Sequence, residues 1–298
     1  MKPNMKIFDS MKKLIILLCC AAAFSTLAGC SKQAVPEEDG AIMRFIPSLP
    51  GTKATDSDFE SGDSFGIFAV EYEGSIPEPL QLSGNWANNS KSTFNGTSWT
   101  VNPKIWWKDD AKFDIFAYYP YNENIESVDD YIFEVKADQR TDGFTLSDLM
   151  WAKATGVERA GGDIALNFKH KLSRLDINLI KGEDYEGDLP ATAEVRIMST
   201  VTTALMDVER GEIEKNPYGT TGTIIARQWE TGKFSAIVVP QKLLNQVPLV
   251  EIIVNNVSYL VSAKFIFESG VRHTLNITLS SDPNKVVINI GGGISGWN

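Results

Sequence analysis

From Ala41 onward, apolar residues come in short runs broken by Gly, Asn, Asp and Pro. Runs rich in Val, Ile, Phe, Tyr and Thr between such breaks read as β-strands and turns. The pattern predicts strands at Phe65–Tyr72, Phe113–Tyr119, Tyr131–Val135, Ala193–Ile197 and Gly222–Ala226. It predicts further strands at Phe234–Val239, Val250–Val254, Ser258–Phe267, Thr274–Leu279 and Lys285–Ile290. Leu146–Ala154 and Gln241–Val247 read as single helical turns. The spacing predicts an all-β chain of sandwiches or barrels.

One stretch, Ile164–Leu179, carries a histidine in its middle. Ile164, Leu166, Phe168, His170 and Leu172 share one face at period two. Leu175, Ile177 and Leu179 continue in the opposite phase, as across a β-bulge at Ser173-Arg174. Phe168, Leu172, Leu175 and Leu179 also fit a helical period, but the longer even-numbered run favours a strand. The polar segment Lys181–Thr192 then suggests a domain boundary. Residues 41–182 and 183–298 are each of a size for one β-sandwich.

The N-terminus has a different texture. Lys12 and Lys13 precede an apolar run, Leu14–Phe24, and then the small residues of STLAGC, Ser25–Cys30. Residues 1–29 therefore read as a secretory signal peptide. Leu27-Ala28-Gly29-Cys30 resembles a bacterial lipobox, with cleavage between Gly29 and Cys30 and acylation of Cys30. Residues 30–40 follow as a polar tether. Several acyl chains on one cysteine would hold the protein at a membrane, because stable anchoring needs more than one. The apolar run is shorter than the ~20 residues of a membrane span.

Composition narrows the function. Hydrophobic residues make up 43% and charged residues 22% of 298 positions, a globular balance. The formal net charge is −10. Removing residues 1–29 takes away four lysines and one aspartate, leaving 24 basic and 37 acidic residues, net −13. An acidic chain lacks the electrostatic footprint of a nucleic-acid binder. The three cysteines, Cys19, Cys20 and Cys30, all precede the body, so no disulfide framework or CxxC pair exists there.

Candidate chemistry is sparse. His170 and His273 are the two histidines, both in strand-like runs without a metal-ligand spacing. They read as packed residues. Asp56, Asp58, Glu60 and Asp63 fail the EF-hand spacing and read as a solvated loop. Gly291–Gly296 matches a dinucleotide-loop spacing but leaves no room for a following helix, so it reads as a flexible turn. No nucleophile elbow appears, and no catalytic residue, cofactor or metal is expected. Trp106-Trp107 and Tyr118-Tyr119-Pro120-Tyr121 could stack on sugars, although alternating aromatics are also ordinary core. A surface glycan-binding lipoprotein is therefore the alternative reading.

Several stretches in order carry a family likeness: GTKATDSDFESGDSFGIFA (Gly51–Ala69), WWKDDAKFDIFAYYPY (Trp106–Tyr121), DLMWAKA (Asp148–Ala154) and Ile164–Leu179. Phe234–Gln241, Phe267–Leu279 and the final GISGWN continue it. Together they resemble the fimbrillin-like (Mfa-like) family, lipoprotein precursors of donor-strand pili. The resemblance implies two tandem transthyretin-like β-sandwich domains and no enzymatic activity. It implies a structural or adhesive subunit (stalk, tip or anchor) at the outer membrane surface and in the fimbrium. Its partners would be other pilin subunits, an Arg- or Lys-specific maturation protease and a host or bacterial surface ligand. Ala41–Leu49 would be the removable first strand, with Ile42, Arg44 and Ile46 on one face and Met43 and Phe45 on the other. Cleavage between Lys53 and Ala54 would release it together with the lipid tether. The resemblance makes His170 a structural strand residue, and places His273 where the family more often has an aromatic.

Overall fold

A computed structural model describes residues 42–49 and 59–297. In chain order the first strands are β1 (Phe45–Ser48), β2 (Ser64–Glu73), β3 (Ile76–Pro77), β4 (Ala87–Phe94), β5 (Trp99–Asn102), β6 (Phe113–Tyr119) and β7 (Tyr131–Glu134). A short helix, α1 (Asp142–Leu146), precedes β8 (Met150–Val157). Then come β9 (Ile164–Asn167), β10 (Lys169–His170), β11 (Ser173–Lys181), β12 (Glu194–Val201), β13 (Thr203–Asp207), β14 (Glu212–Lys215) and β15 (Thr221–Ile225). The last are β16 (Arg227–Glu230), β17 (Lys233–Val238), β18 (Gln241–Val254), β19 (Val257–Phe267), β20 (Val271–Leu279) and β21 (Val287–Gly296). The fold is all-β, as the apolar pattern predicts.

The strands form a sheet ordered β10-β8-β6-β2-β4-β5, with β3 beside β2. Two more sheets run β16-β17-β11-β20-β21 and β15-β12-β18-β19. The remaining strands form β14-β13-β7 and the parallel pair β1-β9.

Strands β2 and β6 are nearly continuous apolar runs because both faces of their sheet are covered. One face gives Phe65, Ile67, Phe113, Ile115 and Tyr119 to a core shared with Met43, Phe45, Ile164 and Leu166. The opposite face gives Phe68, Phe116 and Tyr118 to a second core. That core continues through Tyr131 and Met206 into Leu175, Ile177, Ile197, Val250 and Leu275. Gly66 lies under the Tyr118 ring, where an added Cβ would strike the ring and the Asn89 side chain.

Strand β11 lies before residue 182, yet its partners are β17 and β20. Strand β7 likewise pairs with β13 from beyond residue 183.

Four local expectations change. Ile164–Leu179 is not one bulged strand: β9, β10 and β11 join three different sheets. The phase flip at Ser173 marks the crossing between sheets, where the chain is buried on both sides. Gln241–Val247 is the start of β18 and not a helical turn, paired with β19 from Gln241↔Phe267 onward. In Leu146–Ala154 the helix ends at Leu146, and the strand β8 begins at Met150. Gly291–Gly296 is paired strand and not a turn, with Thr274↔Gly292 and Val271↔Gly296 in register.

Candidate functional site

The first strand is held as an insert. β1 runs parallel to β9, in register Phe45↔Ile164 through Ser48↔Asn167. Ile164 N–H donates to Arg44 O at 2.8 Å, and Phe168 N–H to Ser48 O at 2.9 Å. Upstream, Met43 N–H donates to Ile105 O at 2.8 Å, and Ile42 bridges Trp106 in the antiparallel sense. Ser48 Oγ donates to Asn167 Oδ1 at 2.7 Å. Among the described residues, β9 has no other strand partner.

Side chains alternate as a strand demands. Met43 and Phe45 point inward, at 2% and 8% exposure, whereas Ile46 is 54% exposed. Below them lie Ile105, Trp107, Ile164, Leu166 and Phe168. Burying each of the two inward side chains is worth about 1.5–3 kcal/mol. A groove of about 360 Å³ follows the outer edge of β1, lined in part by Arg44, Trp99, Val101, Lys104 and Asp163.

The other sequence candidates separate. Cys30, Gly29, Lys53 and Ala54 lie outside the described residues, as do Asp56 and Asp58. Asp63 accepts the Tyr119 hydroxyl at 2.9 Å, and burial, reinforced by the Asp63 carboxylate, pushes the Tyr119 phenol up. It also accepts Glu60 N–H at 2.7 Å, so this acid fastens a loop to the core. Among the described residues, no group of three or more His, Cys, Asp or Glu side chains could hold a metal.

Both histidines are packed. His170 Nδ1 lies 2.7 Å from Asp148 Oδ1, where an acceptor-only carboxylate fixes the ring proton on Nδ1. Its ring stacks on Trp297 at 4.0 Å and 3°. His273 sits among Phe265 and Phe267, and burial lowers its pKa below the ordinary 6.5.

Of the aromatic candidates, Trp107 belongs to the core, edge-on to Phe113, and Tyr118 is fully buried. Trp106 stays 39% exposed, and Trp86, a residue the sequence reading passed over, is 42% exposed. Trp86 Nε1–H donates to Trp106 O at 2.8 Å, which joins the two on one surface.

A polar cluster that the sequence did not announce lies in β11. Asp176 takes Arg174 Nε at 2.9 Å and the Ser235 hydroxyl at 2.6 Å, and pairs with Arg272. It ties β17, β11 and β20 together.

Comparison with known proteins decides the family, because the model of the fimbrillin-like family matches residues 52–297. This chain belongs to the fimbrillin-like family. The matched region of this fimbrillin-like chain begins after β1. It is 29% identical over 220 residues to a Bacteroides uniformis protein named "Putative fimbrium subunit Fim1C", covering 70% of each chain. It is 27% identical over 179 residues to a Bacteroides ovatus protein named "Putative fimbrium tip subunit Fim1C". That match covers 51% of this chain and 32% of the longer relative, so the chain spans about a third of that protein's length. In fold it is similar to a crystal structure from Bacteroides uniformis titled "putative cell adhesion protein". The TM-score is 0.67 at 24% identity, covering 87% of this chain and 99% of the other. Both sequence relatives carry names of fimbrium subunits.

Proposed function

We propose that this chain is a fimbrial subunit that accepts an extended strand from a neighbouring subunit, in the groove now filled by residues 42–49. The observation that carries this reading is the pairing of β1: among the described residues its one strand neighbour is β9, and it turns Met43 and Phe45 inward. An incoming strand would restore the same main-chain hydrogen bonds and fill the same two positions, which is β-augmentation. Without it, Ile164, Leu166 and Phe168 would face water beside an unpaired strand edge. Cleavage between Lys53 and Ala54 by an Arg- or Lys-specific protease would free the first strand. It would also part the body from an acylated Cys30 at the outer membrane.

The pairing of β21 with β20, and the packing of Trp297 on His170, favour a subunit that receives a strand without giving up β21. The tip name of one relative agrees with that position.

The test is digestion of residues 31–298 with a Lys-specific protease, sequencing of the new N-terminus, and sizing with and without a strand-donating subunit. Cleavage after Lys53 followed by a stable complex with the donor supports the reading. Cleavage with no uptake of any donor strand overturns it.

A second reading, glycan binding at the cell surface, has one observation in its favour, the exposed Trp86 and Trp106 on one surface. Loss of polysaccharide binding in a Trp86→Ala, Trp106→Ala double variant would support it. Lack of binding by the parent protein across a glycan panel would dismiss it.

A further inference from the structure

The segment Phe168–Leu172 touches both ends of the described chain. At its start, Phe168 N–H is held by Ser48 O of β1 at 2.9 Å. Two residues later His170 pairs with Met150 across β10-β8, and its ring lies flat on Trp297, just after β21. Both rings are buried. At its end, Leu172 O accepts Gly270 N–H at 2.9 Å, and Gly270 O accepts Trp297 N–H at 2.8 Å. Ser269 Oγ donates to Lys171 O at 2.7 Å, and Lys171 N–H donates to Leu149 O at 2.8 Å. The strap is therefore short, hydrogen-bonded along its length, and fixed at both ends.

We infer that this strap couples occupancy of the first-strand groove to the hold on β21, with His170 and Trp297 as the coupling pair. The physical basis is that β9 has β1 as its strand partner and no other among the described residues. When β1 leaves, Ile164 and Phe168 lose their N–H acceptors, Arg44 O and Ser48 O. A four-residue strand without its partner shifts or frays, and Phe168 is two residues from the stacked histidine. A stack at 4.0 Å with near-parallel rings tolerates little displacement, because dispersion contact falls off within an ångström of separation. Loss of the first strand thus loosens Trp297 and the end of β21, and an occupied groove tightens them. The use of this coupling in assembly rests on the strand-accepting reading above; the coupling itself is a property of the folded chain.

Coupling of this kind is reciprocal, so it can be measured from either end on the intact protein. The measurement is amide hydrogen exchange of the full chain. In Trp297→Ala the amides of Ile164 and Phe168 exchange faster by about tenfold, within the usual range of coupling energies. The amides of the β18–β19 pair stay at their parent rates. Trp297→Phe, which keeps a flat ring on His170, remains within about twofold of the parent. From the other end, Phe45→Ala speeds Trp297 and Gly270 N–H by a similar factor. Unchanged rates at Ile164 and Phe168 in Trp297→Ala overturn the inference, as does a uniform acceleration that includes β18–β19. If Trp297→Ala does not fold, the Phe45→Ala arm decides alone. Because no second subunit takes part, failure here leaves the strand-accepting reading standing, and failure of the digestion and uptake test leaves the coupling standing.

Discussion

Phe45 faces Ile164 across a parallel register, in a strand pair joined to no other sheet among the described residues. Both side chains are buried in the same core. The strand is thus firmly seated by its side chains and thinly held by its backbone.

The first prediction concerns that seat. Truncating a buried Phe removes about 3–5 kcal/mol where the whole fold feels the loss. In Phe45→Ala the cost is capped by local release of β1, which is cheaper than global unfolding. The expected outcome is faster exchange at Ile164 and Phe168 with a smaller shift in the global urea midpoint. Ile46→Ala, on the exposed face, stays within about 0.5 kcal/mol of the parent.

Asp176 supplies the second. It is buried beside Arg174, Arg272 and Ser235, and joins three strands of one sheet. Asp176→Ala takes the carboxylate away from a buried guanidinium, which costs about 3–5 kcal/mol. Disruption of the exposed Lys233–Glu230 pair by Glu230→Ala costs under about 1 kcal/mol. Urea midpoints of the two variants, compared side by side, check the contrast.

His273 gives a pH dependence with a definite sign. Burial lowers its folded pKa below 6.5, while nearby Glu268 opposes part of that effect. The unfolded chain therefore takes up the proton first as pH falls. The stability contribution is full above pH 6.5 and is lost as pH falls through the folded pKa. His273→Phe, which suits the contacts with Phe265 and Phe267, removes this contribution. Thermal melts at pH 7.5 and pH 5.5 should differ less in His273→Phe than in the parent.

Adjacent tryptophans should behave oppositely. Trp107→Ala opens a cavity in the first core and costs about 3–5 kcal/mol. Trp106→Ala, at an exposed site, changes stability little, and any loss of glycan binding in it reads as a surface effect. Melting temperature and polysaccharide affinity, measured on both variants, separate the two roles.

Apolar strands were legible in the sequence, and polar ones were not. Phe113–Tyr119 was read to its observed ends because a strand covered on both faces must be a continuous apolar run. Ala87–Phe94 escaped because Ser90 and Ser92 occupy its buried positions, so no hydrophobic alternation marks it. The glycines at 291–293 lack side chains that could carry a pattern, and only backbone pairing with β20 reveals them as strand. Within the site, the alternation Met43, Phe45 against Arg44, Ile46 was visible, but the inward face was not. That is fixed by Ile105 and Leu166, which lie far away in sequence. Trp86 stands alone in a polar stretch, and its junction with Trp106 depends on a backbone carbonyl that no sequence pattern encodes.

The parallel pairing of β11 with β20 sets a clock on folding. Arg174 waits for Arg272, and Lys181 for Leu279, so the centre of that sheet cannot close until nearly all the chain is present. Contacts this distant in sequence are slow to form. A chain whose central sheet waits for β20 keeps that sheet unformed through most of its own synthesis.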